Sequence, residues 1–149
     1  MRRIALLVIV GTLVTSCGSD DASSTSVAAT IATEASGATV SDFATISAQD
    51  AASVVDSPPA DLVVLDVRTP EEYAEGHLDG AVLVDFYDAD FADQLSQLDP
   101  DVPYLVYCRS GNRSGQTLTM MQQLGFASAV DVDGGIVAWQ SAGLPVVVE

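Results

Sequence analysis

The sequence predicts an α/β domain in which a mainly parallel, five-stranded sheet carries helices on both faces. Three observations carry that expectation. From Asp42 onward short apolar runs alternate with helix-period segments, the signature of strands joined by helical crossovers. The run Leu62-Val63-Val64-Leu65 is aliphatic at every position, as a strand covered on both sides must be. The stretch left for this pattern is about a hundred residues, enough for one compact core and not two.

The elements follow in order. Phe43 to Ile46 reads as the first strand, and Ser47 with Asp50 opens a helix through Val55 that Pro58 and Pro59 forbid from continuing. Leu62 to Leu65 is the second strand, with Asp66 marking its carboxyl end, and a short acidic helix follows at Glu71 to Glu75. Ala81 to Val84, Tyr104 to Tyr107 and Ala129 to Val132 supply the remaining strands. Helices fit near Phe91 to Gln97, Ser114 to Leu124 and Ile136 to Ser141, Gly125 being placed to cap the longest of them.

Upstream of this domain the chain has a different character. Met1-Arg2-Arg3 is a basic start to the apolar run Ile4 to Val14, which is too short to span a bilayer. Val14-Thr15-Ser16-Cys17 resembles the lipobox of bacterial lipoproteins, with Val14 where that pattern usually has leucine. The resemblance implies cleavage after Ser16, acylation of Cys17 and a location outside the cytoplasm on the cell membrane. An ordinary secretory signal is the alternative, and it too exports the protein. A diacylglyceryl group supplies the two chains that stable anchoring needs. Residues 17–41 are rich in Ala, Ser and Thr with few large apolar side chains, and are expected to act as a flexible tether to the domain at 42–149.

Charge narrows the partners. The chain has 21 acidic residues against five basic ones, for a net charge of −16, and it contains no lysine. Two of the arginines lie ahead of Cys17. No basic patch is left for nucleic acid or for an anionic lipid surface, so membrane attachment is expected through the lipid alone. With Cys17 acylated, Cys108 is the one remaining thiol, so no disulfide can form within the chain. One histidine and one cysteine do not make a zinc site, and no cofactor is expected.

The chemistry concentrates in Cys108-Arg109-Ser110-Gly111-Asn112-Arg113-Ser114, between an apolar strand and a helix. Ligands of parallel sheets sit beyond the strands' carboxyl ends, and a helix start presents unpaired N–H groups and partial positive charge. Ser110, Gly111, Asn112 and Ser114 let the backbone curl around a small anion, shaping the loop more than touching the chemistry through side chains. With Arg109 and Arg113 adding full charges, Cys108 is expected to be largely thiolate near neutral pH.

The chain from Thr45 onward resembles a rhodanese domain. Leu65-Asp66-Val67-Arg68, Glu71-Glu72-Tyr73 and Gly76-His77-Leu78-Asp79-Gly80-Ala81 are similar to that family's upstream segment. Gly134-Gly135-Ile136, Trp139 and Gly143-Leu144-Pro145-Val146 are similar to its closing segment, and the Cys-x-x-Gly-x-Arg loop lies between them. The resemblance implies a rhodanese-like three-layer fold and sulfurtransferase activity. Cys108 would take a sulfane sulfur from a donor such as thiosulfate, hold it as a persulfide and pass it to cyanide or a thiol. Arg109, Ser110, Gly111, Asn112 and Arg113 would form the binding loop for the anionic donor. Asp66, Arg68 and His77 are read as structural support, because a thiol that is already ionised needs no separate base.

Two rival functions stay open at this level. A phosphatase of related fold uses Cys-x5-Arg, and here the spacing from Cys108 to Arg113 is one residue shorter, a cradle better suited to sulfur than to phosphate. A membrane-tethered carrier or sensor of persulfide, or a protein-binding module, is the alternative that involves no small-molecule turnover.

Overall fold

The computed structural model describes residues 42–148. The segments read above as signal peptide, acylated Cys17 and tether lie outside the described residues.

The chain runs β1 (Phe43–Ile46), α1 (Ala48–Asp56), β2 (Val63–Asp66), α2 (Pro70–Ala74), β3 (Val82–Leu83), α3 (Phe91–Ser96), β4 (Pro103–Tyr107), α4 (Asn112–Leu124), β5 (Ser128–Val132) and α5 (Gly135–Ser141). The helix boundaries have local causes. Ser47 caps α1 by accepting the Asp50 N–H at 3.1 Å. Thr69 and Glu72 form a reciprocal capping box at the start of α2, where Pro70 occupies the first turn and forfeits no helical hydrogen bond. Gly125, at φ 85°, closes α4 in the left-handed conformation that glycine adopts without penalty.

All five strands are parallel, in the order β1-β5-β4-β2-β3. This order puts β4 in the middle, flanked by β2 and β5. One face of the sheet packs Leu65, Val106 and Ala129 against Phe91 and Leu95 of α3 and Leu118 and Met121 of α4. The other packs Val64, Leu105, Val130 and Val132 against Ala48 and Ala51 of α1 and Ile136 and Trp139 of α5. Helices therefore cover both faces, as the continuous aliphatic strand required.

Several boundaries shift from expectation, most by one residue, and three of the differences have a visible local cause. β2 includes Asp66, because its backbone still pairs with Tyr107 of β4. β3 shrinks to two residues, its neighbour Val84 making only a single bond to the Asp66 carbonyl at 2.9 Å. α4 starts two residues early, at Asn112: Gly111, at φ 91°, turns the chain so that the Gly115 N–H reaches the Gly111 carbonyl at 3.0 Å.

Candidate active site

Cys108 immediately follows the central strand, at the sheet's carboxyl edge. It is 1% exposed, at the base of the mouth of its own loop. That mouth is a cleft of about 380 Å³ lined by Glu72, Tyr87, Arg109, Ser110, Asn112 and Arg113 around Cys108.

The loop is braced from behind. The Ile136 N–H donates to the Cys108 carbonyl at 2.9 Å, and the Val137 N–H to the Arg109 carbonyl at 3.2 Å. Both donors belong to the first turn of α5, where N–H groups have no acceptor within the helix, and are satisfied by the loop's carbonyls. The approach is so close that a Cβ on Gly135 would overlap the Cys108 carbonyl oxygen. Gly134-Gly135 is thus the hinge that lets α5 hold the cysteine loop from the far side.

With the carbonyls turned away, donors converge on Sγ. The Gly111 N–H lies 3.1 Å from it and the Ser114 hydroxyl 3.3 Å. Burial pushes the Cys108 thiol up, but the Ser114 hydroxyl and the N–H groups of Ser114, Ser110 and Gly111 outweigh it, leaving the thiol below its ordinary value. This assigns Ser114 a direct side-chain contact with the sulfur, where the sequence had suggested only loop shape.

The arginines divide. Arg113 does not face the mouth as a free cation: its Nη1 and Nη2 donate to the two carboxylate oxygens of Glu72 at 2.7 and 2.8 Å. The expectation that both arginines orient an anion is narrowed for Arg113, whose planar fork matches a carboxylate and is already filled by one, while its charge still acts favourably on the Cys108 thiolate. Hydrogen bonding from Arg113 draws Glu72 down to about 2 against the opposing effect of burial. The exposed Tyr87 ring lies over the same guanidinium at 5.4 Å. Arg109 is exposed at the mouth. Ser110 and Gly111 act through their N–H groups, while the Asn112 side chain turns along the helix and accepts from Gln116 at 2.9 Å.

Asp66, Arg68 and His77 are brought together beside the loop rather than into it. Arg68 donates to both oxygens of Asp66, the closest contact being 2.6 Å, and to the Gly76 carbonyl at 2.8 Å. Asp66 is completely buried and Arg68 4% exposed, so each neutralises a charge that could not stand alone there. His77 stacks on Tyr73 with centroids 3.7 Å apart, its Nδ1 lies 3.1 Å from the Tyr73 carbonyl, and its backbone bridges Val147. Trp139 is buried and donates to the Pro145 carbonyl.

One buried group was not singled out from the sequence. Asp131 of β5 lies under the loop, 4% exposed, facing the Ser114 hydroxyl. Burial, with repulsion from Asp133, raises its carboxyl to about 6 despite hydrogen bonds from Ser114 and the Val132 N–H. Only its position beneath the cysteine sets it apart from the other acids of the chain.

A parallel sheet with a braced cysteine loop at the end of its central strand defines the class, and residues 47–142 match the family model for the rhodanese-like domain. The chain belongs to that family. It is 34% identical over 87 residues to a sulfurtransferase of Allochromatium vinosum, covering 58% of this chain and 79% of that one. It is 38% identical over 79 residues to the thiosulfate sulfurtransferase GlpE of Pseudomonas entomophila, covering 53% and 71%. Among solved structures, the crystal structure of a rhodanese-related protein from Thermoplasma volcanium superposes with a TM-score of 0.62 at 33% identity, covering 70% of this chain and 98% of that one. These relationships support a sulfurtransferase role at the level of the family.

Proposed function

We propose that the protein transfers a sulfane sulfur from a small anionic donor such as thiosulfate to cyanide or a thiol through a Cys108 persulfide. The observation that carries this reading is the convergence of the Ser110, Gly111 and Ser114 N–H groups and the Ser114 hydroxyl on Sγ. Such donors favour the thiolate and then stabilise the anion of the bound persulfide. The thiolate attacks the outer sulfur of the donor, a new S–S bond forms, and the donor's own S–S electron pair leaves with sulfite. The acceptor then attacks the terminal sulfur and the electron pair returns to Cys108 Sγ. Arg109, exposed at the mouth, is the cation available to meet the incoming anion.

On the same reading Cys17 carries the lipid and the domain works outside the cytoplasm, held to the bacterial membrane by that lipid alone, with no role for nucleic acid. The support is the arrangement of Arg2, Arg3, the apolar run and the Thr15-Ser16-Cys17 junction. The occupied fork of Arg113 favours one variant of this function, persulfide carriage between proteins, because a mouth with one open cation holds a doubly charged donor weakly.

Thiocyanate formation from thiosulfate and cyanide tests the proposal. The wild-type chain is expected to turn over and Cys108→Ser to be inactive; equal rates in the two would refute it. Transfer seen only from a protein persulfide would select the carriage variant.

A further inference from the structure

The buried carboxyl of Asp131 has no part in the mechanism above, yet it borders Ser114, the one side-chain hydroxyl among the described residues that bonds the sulfur. Ser114 is completely buried and Asp131 nearly so. Cβ atoms placed on Gly111 and Gly115 would lie in ordinary contact with Asp131 Oδ2, at 4.0 and 3.9 Å, which puts the carboxyl directly beneath the loop and the first turn of α4. Among the described residues, Asp131 Oδ1 is the buried side-chain oxygen left without a hydrogen-bond partner. Among the described residues no cation compensates it. Arg68 is bonded to Asp66, Arg113 to Glu72, and Arg109 is at the surface. The neighbouring strands place Thr45 of β1 and Val106 of β4 beside it, α4 presents Ser114 and Gly115, and the one charge acting on it is the like charge of Asp133.

A hydroxyl has a single proton to donate. With thiolate and carboxylate both ionised, two anions would compete for the Ser114 proton. With one proton shared among the three groups, the conflict disappears, and it does so in either direction. The thiol can donate to Ser114 Oγ while Ser114 donates to the carboxylate, or the carboxylic acid can donate to Ser114 Oγ while Ser114 donates to the thiolate.

We propose that Cys108, Ser114 and Asp131 form a proton relay in which Asp131 is the positioning residue that stores the thiol proton. The thiol proton passes from Sγ to Ser114 Oγ as the hydroxyl proton passes to the Asp131 carboxylate. The products are thiolate and carboxylic acid, with no change in total charge and no water required. The relay rests on Cys108 being the reacting thiol. It is tested without any sulfur donor, so its failure is distinguishable from failure of sulfur transfer.

The relay makes the two titrations one coupled system. The pH profile of iodoacetamide reaction at Cys108 in the full chain, followed on the Cys108 peptide by mass spectrometry, is expected to rise in two steps, the lower near pH 6. Between the steps the ratio of the two proton arrangements is independent of pH, which gives a plateau. Asp131→Asn is expected to give one step. Ser114→Ala is also expected to lose the lower step although Asp131 remains. A single-step wild-type profile, or a lower step that survives in Ser114→Ala, overturns the relay; survival would reduce Asp131 to a through-space charge. A measurement on the wild type alone guards against variants that do not fold. The Asp131 carboxyl, titrated by carbon NMR, is expected to change its midpoint when Cys108 is blocked by methylthiolation, and an unchanged midpoint contradicts the proposal.

Discussion

Two buried aspartates flank the cysteine strand at the same edge of the sheet, and the molecule treats them in opposite ways. Asp66, at the end of β2, is paired across to Tyr107 and saturated by Arg68; Asp131, on β5, is paired in register with Val106 and has no cation among the described residues. Burying a charge is tolerable when a partner and hydrogen bonds replace its water, and costly when they do not. The first carboxylate is therefore spent on architecture. It clamps Arg68, and through it the Gly76 carbonyl, beside the loop. The second keeps a proton affinity near the working pH, which an architectural carboxylate has no use for.

The comparison is broken most sharply by making the same substitution at both sites. Asp66→Asn strands the buried Arg68 charge and is expected to lower stability to denaturant by about 3 kcal/mol at pH 7. Asp131→Asn is expected to act in the other direction. Its folded-state value is raised from 3.8 to about 6, so the folded state holds a proton that the unfolded chain has released, and stability falls as pH rises through that window. Removing the acid should then raise stability by about 1–3 kcal/mol at pH 7, with the gain gone below about pH 4. Two losses, or two gains, would show that the aspartates do the same work.

Glu72 sharpens the contrast with a carboxylate held the other way. Its folded value is depressed to about 2 from 4.5, so its contribution is complete above the higher value and lost as pH falls toward the lower. Glu72→Gln should cost about 1–2 kcal/mol at neutral pH and flatten the acid limb of the stability curve between those values. The smallest effect concerns reactivity alone. Ser114→Ala removes one donor from the sulfur and is expected to slow alkylation of Cys108 at pH 7 by about tenfold, the worth of one hydrogen bond to a charged group.

Much of this was legible in the sequence because it is local. The alternation of aliphatic strands and helices, the cap at Ser47, the glycine stop at Gly125 and the placing of Cys108 after a strand each depend on residues a few positions apart. Asp66 and Arg68, two residues apart, were readable as a pair for the same reason. The rest depends on distance along the chain. Glu72 and Arg113 are 41 residues apart, and nothing in either segment announces that the carboxylate fills the guanidinium fork. Gly134-Gly135 resembles any closing turn until α5 is seen to grip the carbonyls of Cys108 and Arg109. Asp131 is hidden more deeply, one acid among 21, because only the order β1-β5-β4-β2-β3 brings it under Ser114. Ser114 itself faces inward because α4 begins at Asn112, a consequence of the left-handed turn at Gly111.

The central claim is that Cys108 accepts a sulfur atom. It is tested most directly by the mass of the protein after incubation with thiosulfate and removal of excess donor, beside Cys108→Ser treated identically. The account predicts a gain of one sulfur atom in the wild type, located on the Cys108 peptide and absent from the variant. An unchanged mass, from a protein whose Cys108 still alkylates readily, would contradict it.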